Sequence, residues 1–161
     1  MKTSEPILSW YDVSPEVKQL LVAAAQNWEN TSESEQYIYQ ALAKNETNLD
    51  VLVAAYRYFF YKNNNAMALN VALKVIEKIK VIEHFPESWE QLKPILQNRR
   101  EESNIRLYLN AYSASGFVLA RLGEREKAQE IASRVKEIDD KNEFGASVIW
   151  DILTNPEEEE D

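Results

Sequence analysis

A spacing of about 34 residues runs through this chain and limits its fold more than any other feature. Gly116, Gly123, Ala128 and Ala132 set the phase near the C-terminal end. The same phase recurs around Ala68 and Ala72, and again around Ile38 and Ala41. A unit of roughly 34 residues has room for two helices and a turn, and one such unit cannot bury its apolar face alone, so copies must stack. Stacked helix pairs make extended surfaces more readily than deep catalytic pockets. The expectation is a chain that holds another macromolecule.

Composition agrees with helices. The chain has 161 residues, enough for one domain with a real core, and 45% of them are hydrophobic against 28% charged. Only 3 Gly and 5 Pro are present, too few for a fold of short strands and tight turns. The net charge is −9, and Glu157 to Asp161 supply five of the 27 acids, leaving 22 acids against 18 bases in the body. Neither balance suits a nucleic-acid partner or an anionic membrane, which both require clustered Lys and Arg. There is no Cys, so disulfides, thiolate metal sites and cysteine nucleophiles are excluded. The N-terminal residues carry no apolar signal segment, and a cytoplasmic location is expected. Asn30-Thr-Ser32 and Asn45-Glu-Thr47 match the glycosylation acceptor pattern but are read as chance.

Local signals divide the chain. Residues 1–13, with Ile7, Leu8, Trp10 and Tyr11, are expected to pack on the first helices. Ser14-Pro15 starts a helix to about Trp28, with Ser as N-cap and Pro in the first turn. Ser32-x-x-Glu35 reads as a capping box for the next helix, which stops near Asn45. Asn48 caps a third helix, about 49–62, and Asn63-Asn64-Asn65 breaks it. A fourth, about 65–82, shows an apolar stripe of period 3.6 through Ala68, Leu69, Ala72, Val75, Ile76 and Ile79. Residues 83–98 leave the grid and suggest a short extra helix limited or kinked by Pro94. A long helix is expected over about 99–122, a return helix over 124–139 after Gly123, and a last helix from Asn142 to about Leu153. The acidic run then forms a solvated tail.

On these residues the chain resembles the tetratricopeptide repeat (TPR) family. In residues 109–142, Tyr112, Gly116, Leu119, Ala128, Ala132 and Val135 fall at repeat positions 4, 8, 11, 20, 24 and 27, with Ser115 in place of the usual Leu and Asp140 in place of Pro. In 49–82 the same positions hold Leu52, Tyr56, Phe59, Ala68, Ala72 and Val75. Tyr56 replaces the usual Gly, which is expected to keep that helix pair further apart there. Residues 15–48 fit less closely, with Lys18 at the aromatic position beside acceptable Ser34, Ile38 and Ala41. The resemblance implies an all-α, TPR-like α-solenoid of about three repeats within a single domain 1–154, an insertion at 83–108, a C-terminal capping helix, and a disordered tail 155–161. An irregular α-bundle is the alternative. A narrower resemblance rests on Tyr56-Arg-Tyr-Phe-Phe-Tyr61, Trp89-x-x-Leu-Lys-Pro94, Leu107-Tyr to Ala120-Arg-Leu-Gly123 and Gly145-Ala-x-Val-x-x-Asp151. These look like small TPR-like proteins encoded near nitrogen-fixation genes of diazotrophic bacteria, which implies an accessory role in nitrogenase assembly or regulation.

No catalytic, cofactor or metal residue is indicated, and no enzyme is expected. His84 is the sole histidine and reads as a loop or packed residue. Glu101-Glu102 and the terminal acids read as solvated, and no phosphate loop or nucleophile elbow is present. The candidate site is a partner-binding groove. The family's concave positions fall on Asp50, Val53, Ala54, Arg57, Phe60 and Tyr61 in the second repeat. In the third they fall on Asn110, Ser113, Ala114, Phe117, Ala120 and Arg121. Five aromatics in Tyr56–Tyr61 point around the whole helix at about 100° per residue. One seam cannot bury them all, so either segment 83–98 or a partner must cover Phe60 and Tyr61. Arg57, Phe60, Tyr61, Phe117 and Arg121 are therefore the expected contacts for a protein or peptide partner with apolar anchors and an acidic group. Intramolecular salt bridges are the competing account of both arginines. A homodimer that buries the aromatic faces is the first alternative function, and a small-molecule or metal-dependent enzyme, for which the sequence gives no motif, is the second. Gln19, Val53 and Ser113 stand where chaperone-tail clamps carry Lys or Asn, which argues against that ligand.

Overall fold

A computed structural model describes residues 14–45 and 48–139. The lead-in, the expected last helix and the acidic tail lie outside the described residues. Among the described residues seven helices are formed: α1 Pro15–Gln26, α2 Thr31–Lys44, α3 Leu49–Tyr61, α4 Asn65–Glu83, α5 Trp89–Asn98, α6 Ser103–Arg121 and α7 Arg125–Ile138. No strand occurs among the described residues, and no helix there is long and apolar enough to cross a membrane.

The helix ends follow from local chemistry. Ser14 Oγ accepts the Val17 amide at 3.2 Å, with Pro15 in the first turn of α1. Asn48 Oδ1 accepts the amides of Asp50 and Val51 at 2.8 and 3.2 Å, and Asn64 caps α4. α2 differs from expectation. Its cap is Asn30, whose Oδ1 takes the Glu33 amide at 3.2 Å, and Ser32 lies inside the first turn. Asn30-x-x-Glu33 fits the capping pattern as well as Ser32-x-x-Glu35 does, and contacts from Lys62 to the Trp28 carbonyl and Thr31 Oγ1 favour the earlier start. α6 begins at Ser103 rather than 99. Arg99 pairs with Glu83 and Glu102 and holds residues 99–102 in a turn.

α3 and α6 end alike. Asn64 N–H donates to Phe59 O and Asn63 N–H to Phe60 O, while Glu124 N–H donates to Leu119 O and Gly123 N–H to Ala120 O. This paired bonding requires a left-handed residue at the hinge, and Asn63 (φ 62°) and Gly123 (φ 88°) supply it. They stand 60 residues apart, the same offset that separates the second and third grid copies. His84 (φ 56°) makes the same stop for α4, with Phe85 N–H on Lys80 O, so the sole histidine is a helix terminator.

Short turns fold α2 back on α1, α4 on α3 and α7 on α6, and α4 also packs broadly along α6. Grid positions 20, 24 and 27 hold Ser34, Ile38 and Ala41, then Ala68, Ala72 and Val75, then Ala128, Ala132 and Val135, and every one is buried. Position 4 is less uniform than expected: Leu52 is buried, Tyr112 half-buried and Lys18 exposed. Tyr56 does not prise its pair apart. It is buried, and α3 and α4 share the broadest contact among the described helices. The contact between α2 and α3 is slighter and is made by specific pairs. Tyr58 OH bonds fully buried Ser34 Oγ, and the Trp28 and Tyr58 rings meet edge-on at 5.4 Å.

The inserted helix α5 packs on α7. Trp89 Nε1 donates to Glu137 Oε1 at 3.3 Å, Lys93 pairs with the same carboxylate at 3.1 Å, and Arg100 Nη1 donates to the last carbonyl of α7, Ile138 O, at 2.7 Å. Pro94 stands within α5.

Candidate functional site

α3 and α6 bring four of the five expected partner-binding residues together. The rings of Phe60 and Phe117 lie 5.2 Å apart, and Tyr61 meets Phe60 edge-on at 5.5 Å. The Arg121 guanidinium stacks 4.5 Å over Phe117, and its Nη1 donates to Asn63 Oδ1 at 2.6 Å. Arg121 thus ties the end of α6 to the hinge after α3, a structural duty that sequence reasoning missed. Arg57 sits one turn back from Tyr61 on the same helix face, its guanidinium 6.0 Å from the Tyr56 ring.

The six-residue aromatic run divides as its helical spacing requires. Tyr56, Tyr58 and Phe59 enter the core, Phe60 is half-buried and Tyr61 is 68% exposed. Segment 83–98 does not cover this pair. Asn104, in the first turn of α6, donates to Glu83 Oε2 at 2.9 Å, so α4 and α6 run antiparallel and the insertion starts at the far end of α6 from Phe117. What remains is an aromatic ledge with a stacked cation, which is suited to an apolar side chain flanked by an acid.

A second concavity lies toward that far end, where α4, α5, α6 and α7 meet. It encloses about 220 Å³ and is lined by Trp89, Tyr108, Tyr112 and Arg134, by Lys80 and Glu87, and by aliphatic side chains from all four helices. Tyr108 and Tyr112, one turn apart, stack at 5.8 Å. Arg134 lies 5.0 Å over the Trp89 ring, reaches Tyr112 OH at 3.5 Å, and pairs with Glu130 at 2.9 Å. Burial raises the pKa of both phenols, and for Tyr112 the bond from Arg134 works against it. The bond from Lys93 and that from Trp89 hold Glu137 below the usual carboxylate range. The (i, i+4) tyrosines were the signal for this site in the sequence. Its roof was not legible, because nothing local says where an insertion will fold.

Among the described residues no group of three or more His, Cys, Asp or Glu is placed to hold a metal. The molecule is of the class of all-helical proteins built from helix pairs, with an aromatic ledge across two of them. The chain belongs to the family of the "Uncharacterized 19.8 kDa protein in nifW 5'region" of Azotobacter chroococcum mcd 1, to which it is 31% identical over 144 residues, or 88% of this chain and 80% of that protein. That relative's name places it beside a nitrogen-fixation gene, in keeping with the narrower resemblance drawn from the sequence. No protein-family model matches the chain, and no solved structure matches it.

Proposed function

We propose that this protein is a non-catalytic, TPR-like adaptor that grips a partner protein on the ledge formed by Phe60, Tyr61, Phe117 and Arg121, with Arg57 beside it. The observation that carries this reading is the junction of Phe60 with Phe117. Residues at equivalent ends of the second and third helix pairs meet side by side, and the most exposed ring among the described residues projects from their edge. The TPR-like arrangement is supported by burial at positions 20, 24 and 27 in all three copies and by the matching stops at Asn63 and Gly123. The nifW-region relative supports an accessory role in nitrogenase assembly or regulation, exercised through contact with another protein.

Tyr61→benzoylphenylalanine, a photocrosslinking substitution, tests the reading in nitrogen-fixing cells. A crosslinked partner is expected from position 61 and not from the control Glu126→benzoylphenylalanine on the exposed start of α7. Crosslinks only between copies of the chain support the homodimer instead. Identical products from both positions overturn the ledge.

A further inference from the structure

The second concavity has the composition of a binding site that the adaptor reading does not use. Tyr108 is only 3% exposed, and its hydroxyl has no hydrogen-bond partner among the described residues. A phenol buried without a partner is disfavoured, and such groups mark places where something else supplies the bond. The Tyr112 hydroxyl accepts from Arg134, which leaves its own proton to donate. Arg134 spends Nη1 on Tyr112 and Nη2 on Glu130, so its Nε–H remains without a partner among the described residues. Among the described residues Lys80 is held by a 4.0 Å pair with Glu77. Among the described residues Glu87 is the one carboxylate in the lining, and Glu130 partly offsets Arg134. Two cations, Lys80 and Arg134, thus face one carboxylate among the described lining residues, so the polar side of the cavity suits an anionic group. Apart from Ser115, whose Oγ donates to the Tyr112 carbonyl, the remaining described lining is aliphatic or aromatic.

Size narrows the class further. At about 220 Å³ the cavity is larger than the roughly 150 Å³ apolar cavity that admits benzene, which leaves space for a short polar arm beside a ring. We infer that this cavity is a binding site for a small aryl-alkyl carboxylate, its ring among the aliphatic walls and its carboxylate on Tyr108, Tyr112 and Arg134. Two sources present this acid, a free molecule and a chain terminus ending in Phe, and the chemistry recognised is the same. The site is separate from the aromatic ledge, so neither proposal depends on the other.

The test is an NMR titration of the full chain with 3-phenylpropanoate. The indole N–H of Trp89 is the reporter, because it bonds Glu137 at the cavity's edge. A saturable shift is expected, weaker by about tenfold in Tyr108→Phe and Arg134→Met, as for loss of a bond to a charged group. Tyr108→Phe removes an unpartnered hydroxyl and is expected to melt no lower than wild type, so its lost affinity is not misfolding. The neutral 3-phenylpropanamide is expected to bind more weakly than the acid. N-acetyl-Gly-Phe with a free carboxylate separates the sources. If it binds as well as the acid, a chain terminus is the ligand; if it is excluded, a free acid is. Absence of a saturable shift at millimolar probe overturns the proposal. So does binding that neither substitution changes.

Discussion

Gly123 and Asn63 end two helices in the same way. Both hold positive φ at the same grid position. A Cβ added to Gly123 meets nothing within 4 Å, so the cost of Gly123→Ala is backbone strain alone. A loss of about 1–2 kcal/mol is expected in urea denaturation. A neutral result would mean that the hinge relaxes freely. Glu83 acts at the other end of α4. Bonds from Asn104 and Arg99 lower its pKa from the ordinary 4.5. A carboxylate depressed in the folded state stabilises fully above its unfolded value, and the contribution is lost as the pH falls through the folded value. Glu83→Gln is therefore expected to lower the urea midpoint at neutral pH, with the difference from wild type shrinking once the pH falls below 4.5. A difference independent of pH would refute the ion-pair account. The caps at Ser14 and Asn48 were legible because one side chain and one amide decide them. The cap of α2 was not, because two equivalent patterns compete two residues apart and Lys62, a helix away in sequence, tips the balance.

At the scale of elements, the helices differ in how firmly they are held. α4 is enclosed between α3 and α6, whereas α5 buries only Leu92 and Leu96, lacks a side-chain N-cap bond and contains Pro94. Proline removes an interior backbone bond, and few buried contacts mean a low cost of local opening. Amide hydrogen exchange is expected to be fastest at α5, intermediate in α1 and α2, and slowest in α3, α4 and α6. Equal protection of α5 and α4 would contradict this ordering. The intermediate rank of the first pair follows from its slight contact with α3, carried by Ser34–Tyr58 and the Lys62 bonds. Helix positions were readable in the sequence because a 3.6 period and a 34-residue phase reinforce each other. The site of α5 was not, because it depends on long-range pairs such as Trp89 and Lys93 with Glu137, 48 and 44 residues apart.

As a whole, the molecule is an acidic helical chain whose aromatic, locally cationic ledge is proposed to meet another protein. The resemblance to the TPR family named four of the five residues that meet at the ledge, because its concave positions fall on Phe60 and Tyr61 at the end of α3 and on Phe117 and Arg121 at the end of α6. The duty of Arg121 at Asn63 was hidden, because a hydrogen bond between two turns leaves no trace in either segment. It also makes Arg121 a poor test residue, since its removal loosens the hinge. Tyr61 is the better one, with most of its ring already in solvent. Sedimentation at several concentrations is expected to give a monomer unchanged by Tyr61→Ala, whereas a dimer that dissociates on this substitution would assign the ledge to self-association. The most direct measurement is quantitative affinity capture from nitrogen-fixing cells on wild type and Tyr61→Ala side by side, with equal melting of the two baits established first. At least one protein is expected to be held by wild type and reduced about tenfold or more on the variant, as for a central aromatic contact. The same proteins in equal amounts on both baits, or none on either, would contradict it.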